Sequence, residues 1–232
     1  MTADTVFLVD VDNTLLDNDR IIADLHGHLA REFGDPSAAR YWAIFEALRD
    51  ELGYVDYLGA LQRYRHDVDH QGDGDQRLLR TSNLLVDYPF ADRLYPDALE
   101  AVAHLGRVGP VVILSDGDVV FQPRKVQRSG LWDAVGGRVL IYVHKEKMLD
   151  QVQRLYPARR YVMVDDKLRI LAAMKAALGE RLTTVFPRQG HYALDAAEVA
   201  GHPAADITVE HIGDLLTFDA HALSGTALQE KP

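Results

Sequence analysis

Six polar residues with chemical potential stand at or just past the ends of short, β-branched apolar segments of this sequence. They are Asp10, Asp12, Ser115, Lys145, Asp165 and Asp166. If those segments are parallel strands of one sheet, their carboxyl ends meet at the same edge, where ligands bind in open α/β sheets. Four separate segments of the chain therefore predict one site.

The acidic residues of this set predict a cation. Residues two apart in extended chain project to the same side at a spacing of roughly 6–7 Å, so Asp10 and Asp12 can flank one reacting atom. Asp165 and Asp166 add two more negative charges, and crowded carboxylates need a compensating cation or a raised pKa. Mg²⁺ fits oxygen ligands better than Zn²⁺ or Ca²⁺ where water and a phosphate complete the shell. The Ser115 hydroxyl and the Lys145 ammonium suit phosphate oxygens.

The elements that must position these residues alternate along the chain. Strands are predicted at 5–10, 111–115, 138–143, 160–166, 182–186 and 206–210. Helical patterns lie between them at 95–109, 146–157 and 168–180. This alternation predicts an α/β fold with a doubly wound, mainly parallel Rossmann-like sheet and helices on both faces.

One stretch, residues 19–86, contains no convincing strand and predicts a small all-helical cap domain. Its clearest helix covers 35–53, with Asp35 as candidate N-cap, Pro36 at the first helical position and Gly53 past the end. Further helices are predicted at 55–68 and 76–86, with a loop at 70–76. The catalytic core then comprises residues 1–18 and 87–223, and 224–232 is expected to be a flexible tail.

Composition narrows the class of protein. The 232 residues are 47% hydrophobic and 26% charged, and no apolar run is long enough to span a bilayer. A formal charge of −10 without a basic cluster argues against nucleic acid and anionic membranes as partners. With no cysteine and no signal-peptide pattern at the N-terminus, we expect a cytoplasmic protein.

The polar set resembles the haloacid dehalogenase-like (HAD) hydrolase superfamily, whose pattern is Asp-x-Asp-x-Thr/Val, then Ser/Thr, Lys and an acidic pair. The matching segments are DVDNT (10–14), ILSDGD (113–118), HKEK (144–147) and MVDDK (163–167). Their order, their strand context and the helical insertion all agree, so the resemblance covers nearly the whole chain. A single DxDxT motif is a weak signal, whereas four motifs in order are a strong one.

The resemblance implies a phosphatase with an aspartyl-phosphate intermediate. Asp10 would attack phosphorus, Asp12 would act as acid and then base, and Ser115 and Lys145 would hold the transferring group. Asp116 is a further candidate for substrate binding, although Asp116 and Asp118 are also predicted to cap the next helix. The acid two positions after the nucleophile favours phosphoryl chemistry over halide chemistry, because the similar dehalogenases lack it.

The resemblance also implies a set of metal ligands. Mg²⁺ would be bound by the Asp10 carboxylate, the Asp12 backbone carbonyl and the acidic pair. Asp166 aligns best with the direct ligand of that pair, and Asp165 acts directly or through water. Thr14 is interpreted as bracing the Asp10 loop. Lys147 is a rival to Lys145, because the proline that often follows the motif lysine in relatives is missing here. Lys145 is preferred because it lies nearest the strand end, whereas Lys147 is expected to lie in the helix.

Several readings stay open at this level. A phosphomutase would pass the phosphoryl group from Asp10 to a second hydroxyl, a dehalogenase would release halide, and a catalytically quiet protein would only bind a phosphorylated ligand or a partner. The substrate is expected to be a small phosphorylated metabolite, which the cap selects. The sequence identifies neither that metabolite nor the oligomeric state.

Overall fold

All six predicted strands form one parallel sheet in the computed structural model, which describes residues 2–66 and 73–223. The strand order is β3-β2-β1-β4-β5-β6. The strands are β1 (Ala3–Val9), β2 (Val111–Asp116), β3 (Val139–Tyr142), β4 (Ala158–Val164), β5 (Leu182–Pro187) and β6 (Ile207–Val209). The predicted doubly wound α/β fold is confirmed.

Strand β1 lies in the middle of the sheet and is buried on both faces. Its Phe7 pairs with Val111 of β2 on one side and with Val162 of β4 on the other. Alternate side chains of a strand point to opposite faces. Accordingly Phe7 packs into one apolar layer and Leu8 into the other, each fully buried. Burial on both faces explains why the strands read as continuous apolar runs.

Among the described residues, four helices lie between positions 18 and 87, the part of the β1–β2 connection in which the sequence predicts no strand. They are α1 (Asn18–Phe33), α2 (Asp35–Leu52), α3 (Tyr57–Tyr64) and α4 (Gly74–Asp87). Their buried residues include Tyr41, Phe45 and Tyr64, which pack into an aromatic cluster. The helices predicted at 55–68 and 76–86 are thus found as α3 and α4. The role of residues 19–86 as a separate cap domain stays a prediction.

The start of α2 differs from the prediction by one residue. Gly34, not Asp35, is the N-cap, and Asp35 is the first helical residue. The reason is backbone geometry: Gly34 has φ 79° and serves as the C-cap of α1 and the N-cap of α2 at once, a conformation that suits glycine. Gly53 ends α2 in the left-handed conformation, as predicted, and its N–H donates to the carbonyl of Arg49.

Eight further helices surround the sheet. They are α5 (Ala98–Leu105), α6 (Phe121–Arg128), α7 (Leu131–Ala134), α8 (Leu149–Leu155), α9 (Leu168–Leu178), α10 (Gly190–Leu194), α11 (Ala196–Ala200) and α12 (Ala220–Leu223). The predicted helix at 146–157 begins later than expected, because a 3₁₀ turn at Lys145–Lys147 precedes α8. The sequence analysis missed α6.

Helix α6 contacts the chain at both ends of the α1–α4 segment. The Lys125 ammonium donates to the side-chain oxygen of Asn18, the first residue of α1, at 2.9 Å. The guanidinium groups of Arg124 and Arg128 approach the carboxylate of Asp87, the last residue of α4, at 3.0 and 3.3 Å. One helix of the sheet region therefore positions both connections to α1–α4.

Part of the predicted loop at 70–76 and the whole predicted tail at 224–232 lie outside the described residues. Over the described ranges, none of the helices combines the length and the apolar character needed to cross a bilayer.

Candidate active site

A buried ionic cluster lies where β1, β2 and β4 end. The ammonium of Lys145 is 2.5 Å from Asp10 Oδ1 and 2.7 Å from Asp165 Oδ2, and it also donates to the carbonyl of Leu114 at 3.2 Å. Lys145, Asp10 and Asp165 are each at most 3% exposed. The structure thus brings together side chains that are far apart in the sequence, as the parallel topology predicts.

The charges of this cluster depend on one another. Burial alone would lower the pKa of Lys145, but the carboxylates of Asp10 and Asp165 raise it above its usual value, so the ammonium is retained. Burial raises the pKa of Asp165 to about 6, although Lys145 opposes the shift. An ionised carboxyl at this position therefore needs positive charge nearby.

Asp166 is the least satisfied member of the cluster. Its backbone N–H donates to Thr14 Oγ1 at 3.0 Å, which supports the interpretation of Thr14 as a brace. Neither of its buried carboxylate oxygens has a hydrogen-bond partner among the described residues. Burial raises the pKa of Asp166 well above its usual value. A buried polar group without a partner calls for one, and a cation would supply it.

Three carboxylates are close enough to share a cation. Ligand oxygens of Asp10, Asp165 and Asp166 all lie within 4.8 Å of one another. Asp165 Oδ1 already accepts from the backbone N–H of Lys167 at 2.9 Å, so Asp166 has the most free coordinating capacity. The chemistry of this donor set fits a hard divalent cation.

Asp12 lies apart from that group. Its Oδ1 is 2.7 Å from the ammonium of Lys125, and its Oδ2 accepts from Gln122 Nε2 at 3.4 Å. The side chain of Asp12 is 25% exposed, while that of Lys125 is 1% exposed. Of the predicted metal-ligand set, the Asp12 carboxylate is therefore the one engaged elsewhere, and ligation through its backbone carbonyl stays a prediction.

Gln122 and Lys125 are site residues that the sequence analysis missed. Both project from α6, which follows the loop after Ser115. The available signal was Asp118, whose Oδ1 accepts from the N–H groups of Val120 and Phe121 at 2.7 Å each and so marks the start of a helix. A helix beginning there places polar residues next to the end of β2.

Ser115 and Asp116 close the β2 side of the site. The hydroxyl of Ser115 accepts from Gln122 Nε2 at 3.0 Å. Asp116 Oδ1 accepts from the backbone N–H of Lys145 at 2.7 Å, so it ties the lysine loop to β2. Burial raises the pKa of Asp116, although Lys145 opposes the shift. A substrate-binding role for Asp116 stays a prediction beside this structural contact. Of the two acidic residues predicted to cap the next helix, Asp118 accepts from the N–H groups of Val120, the N-cap residue of α6, and of Phe121, the first helical residue.

Of the two candidate lysines, Lys145 reaches the site. Lys147 is exposed at the other end of the same 3₁₀ turn, whereas Lys145 is 1% exposed against Asp10. The absence of a proline after Lys145 therefore does not move its ammonium group away from the site.

A cavity of about 620 Å³ opens beside these residues. The sheet side contributes Asp12, Lys125 and Lys167, among others, and the opposite wall comes from α1–α3. That wall presents mainly apolar and aromatic side chains, together with the charged Glu46 and Arg49 of α2; the apolar and aromatic members are Ile22, His26, Trp42, Phe45, Val55 and Tyr57. His26 stacks on Trp42 at 3.8 Å between ring centroids. The site thus joins a charged floor to an aromatic wall.

Comparisons with known proteins identify the family. The model of the haloacid dehalogenase-like hydrolases matches residues 5–177. A haloacid dehalogenase-like hydrolase from Burkholderia xenovorans is 68% identical, with 95% of this chain and 99% of that chain covered and a TM-score of 0.86. A comparison with curated proteins gave no match.

More distant solved structures share the fold. A HAD hydrolase from Bacillus subtilis, crystallised bound to magnesium, is 16% identical with a TM-score of 0.59, covering 94% of this chain and 98% of that chain. The L-2-haloacid dehalogenase from Xanthobacter autotrophicus is 17% identical with a TM-score of 0.55, covering 93% and 97%. On the evidence of the family match and the Burkholderia relative, the chain belongs to the haloacid dehalogenase-like hydrolases.

Proposed function

We propose that this hydrolase is a Mg²⁺-dependent phosphatase that cleaves a small phosphomonoester through an aspartyl-phosphate on Asp10. The observation that carries the proposal is the buried group of Asp10, Asp165 and Asp166, in which both oxygens of Asp166 lack a partner in the described part of the chain. A dianionic phosphate cannot approach three carboxylates unless a cation compensates the charge.

The residues present fit such a cation. The carboxylates of Asp10 and Asp166 would hold it, with Asp165 binding directly or through water and the backbone carbonyl of Asp12 completing the protein ligands. When bound, Mg²⁺ reduces the electrostatic repulsion between the Asp10 carboxylate and the phosphate and stabilises charge on the transferring group. Replacement by Zn²⁺ is disfavoured because every side-chain donor in the group is a carboxylate.

In the first step an oxygen of Asp10 attacks phosphorus as the bond from phosphorus to the leaving oxygen breaks. Asp12, which faces the cavity, gives a proton to that oxygen, so an alcohol leaves. Lys145 holds Asp10 in place through the contact at 2.5 Å. The Ser115 hydroxyl, fixed by Gln122, donates to a phosphoryl oxygen.

In the second step water attacks phosphorus on the aspartyl-phosphate. The Asp12 carboxylate accepts a proton from that water, the bond from phosphorus to the Asp10 oxygen breaks, and inorganic phosphate is released. The protonated Asp12 is then ready for the next leaving group. Helices α1–α3, whose side chains form the far wall of the cavity, act in this proposal as the cap that selects the substrate and excludes water.

A dehalogenase is the second candidate, because several solved structures that share the fold are L-2-haloacid dehalogenases. Those structures are less than 20% identical to this chain and support only the common architecture. Displacement of halide from carbon requires neither a proton for the leaving group nor a cation between nucleophile and substrate. Phosphoryl transfer is therefore favoured by two groups. They are the Asp12 carboxylate and the Asp166 carboxylate, whose oxygens lack a hydrogen-bond partner among the described residues.

The test is one screen with four readouts. The purified protein with Mg²⁺ is incubated with a panel of metabolite phosphates, including sugar phosphates, and with L-2-chloropropionate. We expect release of inorganic phosphate that stops on chelation and returns with added Mg²⁺. Isomerised sugar phosphate without free phosphate would identify a phosphomutase, and chloride release would identify a dehalogenase. Binding of phosphate esters without turnover would identify the quiet protein.

A further inference from the structure

We propose that Lys125 is a positioning residue for the reaction: it orients the Asp12 carboxyl group toward the leaving oxygen. The proposal rests on the phosphatase function proposed above, because it assigns Asp12 a leaving group to protonate. Lys125 belongs to none of the four motifs, and only the fold brings it to Asp12.

The first argument is the environment of the ammonium group. Lys125 is 1% exposed, and its Nζ is 2.7 Å from Asp12 Oδ1 and 2.9 Å from the side-chain oxygen of Asn18. The same Nζ lies 5.3 Å from the centre of the Phe121 ring. A buried ammonium is costly unless it is paired and hydrogen-bonded. Asp12 is its carboxylate partner among the described residues, so the position of one group determines that of the other.

The second argument is that Asp12 is held through both oxygens. Gln122, one helical turn before Lys125, donates from Nε2 to Asp12 Oδ2 at 3.4 Å and to the Ser115 hydroxyl at 3.0 Å. The two donors, Gln122 and Lys125, restrict rotation of the Asp12 carboxylate. Its remaining lone pairs are then available on the side of the cavity that Asp12 lines. The side chain is 25% exposed, so a substrate can reach it.

The third argument is that α6 is itself anchored. Arg124 and Arg128 bind Asp87, and Lys125 binds Asn18, so the helix contacts both connections to α1–α4. Gly117 lets the loop after β2 approach closely, because a Cβ there would lie 2.7 Å from the Gln122 side chain. The donors to Asp12 thus project from a fixed support, as precise proton transfer requires.

The proton balance gives Lys125 a defined effect. As the P–O bond breaks, Asp12 gives its proton to the leaving oxygen and becomes a carboxylate 2.7 Å from a fixed ammonium. An Asp12 side chain that is no longer held in place delivers the proton less efficiently, so loss of Lys125 should slow the departure of poor leaving groups. Leaving groups that depart readily as anions do not need the proton, so they should not depend on Lys125.

The experiment compares aryl phosphates that differ in leaving group. Wild type and Lys125→Met are assayed with Mg²⁺ on phenyl, 4-nitrophenyl and 2,4-dinitrophenyl phosphate, and kcat/KM is measured because it reports the phosphoryl-transfer step. We expect a loss of about 100-fold for phenyl phosphate and of no more than about fivefold for 2,4-dinitrophenyl phosphate. Lys175→Met is the matched control. It removes the ion pair between Lys175, in the last turn of α9, and Asp206, and it should leave all three values unchanged.

A double variant separates positioning from general damage. If Lys125 acts through Asp12, Lys125→Met should cost little further activity on phenyl phosphate in an Asp12→Asn background. Lys125→Gln, which keeps a donor of smaller reach, should lose less than Lys125→Met and replaces it if Lys125→Met does not fold. An equal loss for all three esters, no loss, or additive losses in the double variant would overturn the inference. Failure of the wild type to release phosphate from any ester would overturn the proposed function and this inference together.

Discussion

The two sides of the cavity are built by different interactions. Next to the residues that line its sheet side, Lys145, Asp10 and Asp165 are joined by charged contacts of 2.5 to 2.7 Å, and all three are buried. On the side of α1 and α2, Trp42 meets His26 and Phe45 through ring contacts with centroids 3.8 and 5.3 Å apart. Ionic contacts at short range specify one geometry, whereas ring contacts tolerate small shifts. The floor is therefore suited to one chemistry and the wall to a choice of substrate.

The largest effect is expected at the floor. Asp10→Asn removes the carboxylate proposed as nucleophile, so phosphate release should fall by at least about 1,000-fold because the proposed covalent step would be lost. The measurement is kcat/KM on 4-nitrophenyl phosphate with Mg²⁺. Asp4→Asn is the control, since Asp4 lies on the same strand with a side chain that is 90% exposed. Near-normal turnover by a folded Asp10→Asn would rule out Asp10 as nucleophile.

The next effect concerns the cation. In wild type, Mg²⁺ at about 100 times its Kd should stabilise the fold by about 2.7 kcal/mol, because it binds only the folded chain. Asp166→Asn removes the least satisfied carboxylate, so this stabilisation should be largely lost. Thermal unfolding with Mg²⁺ and with chelator gives the difference. An unchanged shift of Tm in Asp166→Asn would place the cation elsewhere.

The buried acids also predict how stability depends on pH without metal. The pKa of Asp165 is about 6 in the fold and 3.8 for an ordinary carboxyl. Below pH about 4 the group is protonated in both states; above it the unfolded chain loses the proton first. The free energy of unfolding should therefore fall by up to about 3 kcal/mol as pH rises through 6. Urea unfolding with chelator should show a flatter profile for Asp165→Asn, and parallel profiles would contradict the assignment.

The smallest effect is expected at the wall. Trp42→Ala removes an aromatic surface but no charged group, so KM should change by up to about tenfold, and differently for different esters, while kcat changes little. Leu79→Ala, at a position that is 57% exposed on α4, is the control. Equal losses of kcat for every ester would show that the wall takes part in the chemistry and would remove the contrast between the two sides.

The sheet and the floor could be predicted from the sequence because their signals are local. Continuous apolar runs mark buried parallel strands, and polar residues at their ends mark the ligand edge, so Asp10, Lys145 and Asp166 are found by position alone. The prediction that Lys145, not Lys147, is the motif lysine agrees with its burial against Asp10.

The role of α6 could not be predicted in this way. Its segment FQPRKVQR has few apolar residues and a proline in the first turn, so its helical periodicity is weak. The contact between Lys125 and Asp12 joins residues distant in the chain and depends on the completed sheet. The one-residue error at α2 has a similar cause, since Gly34 serves two helices at once through a backbone conformation that its neighbours do not reveal.

The central position of β1 has a consequence for synthesis on the ribosome. Phe7 is translated before its partners Val111 and Val162, which follow only after the whole of α1–α4 and, for Val162, much of the remaining chain. Until β4 emerges, β1, which ends just before Asp10, has an unpaired edge that can associate with other chains. Nascent chains halted between β2 and β4 should for this reason depend on chaperones more than chains released after β4.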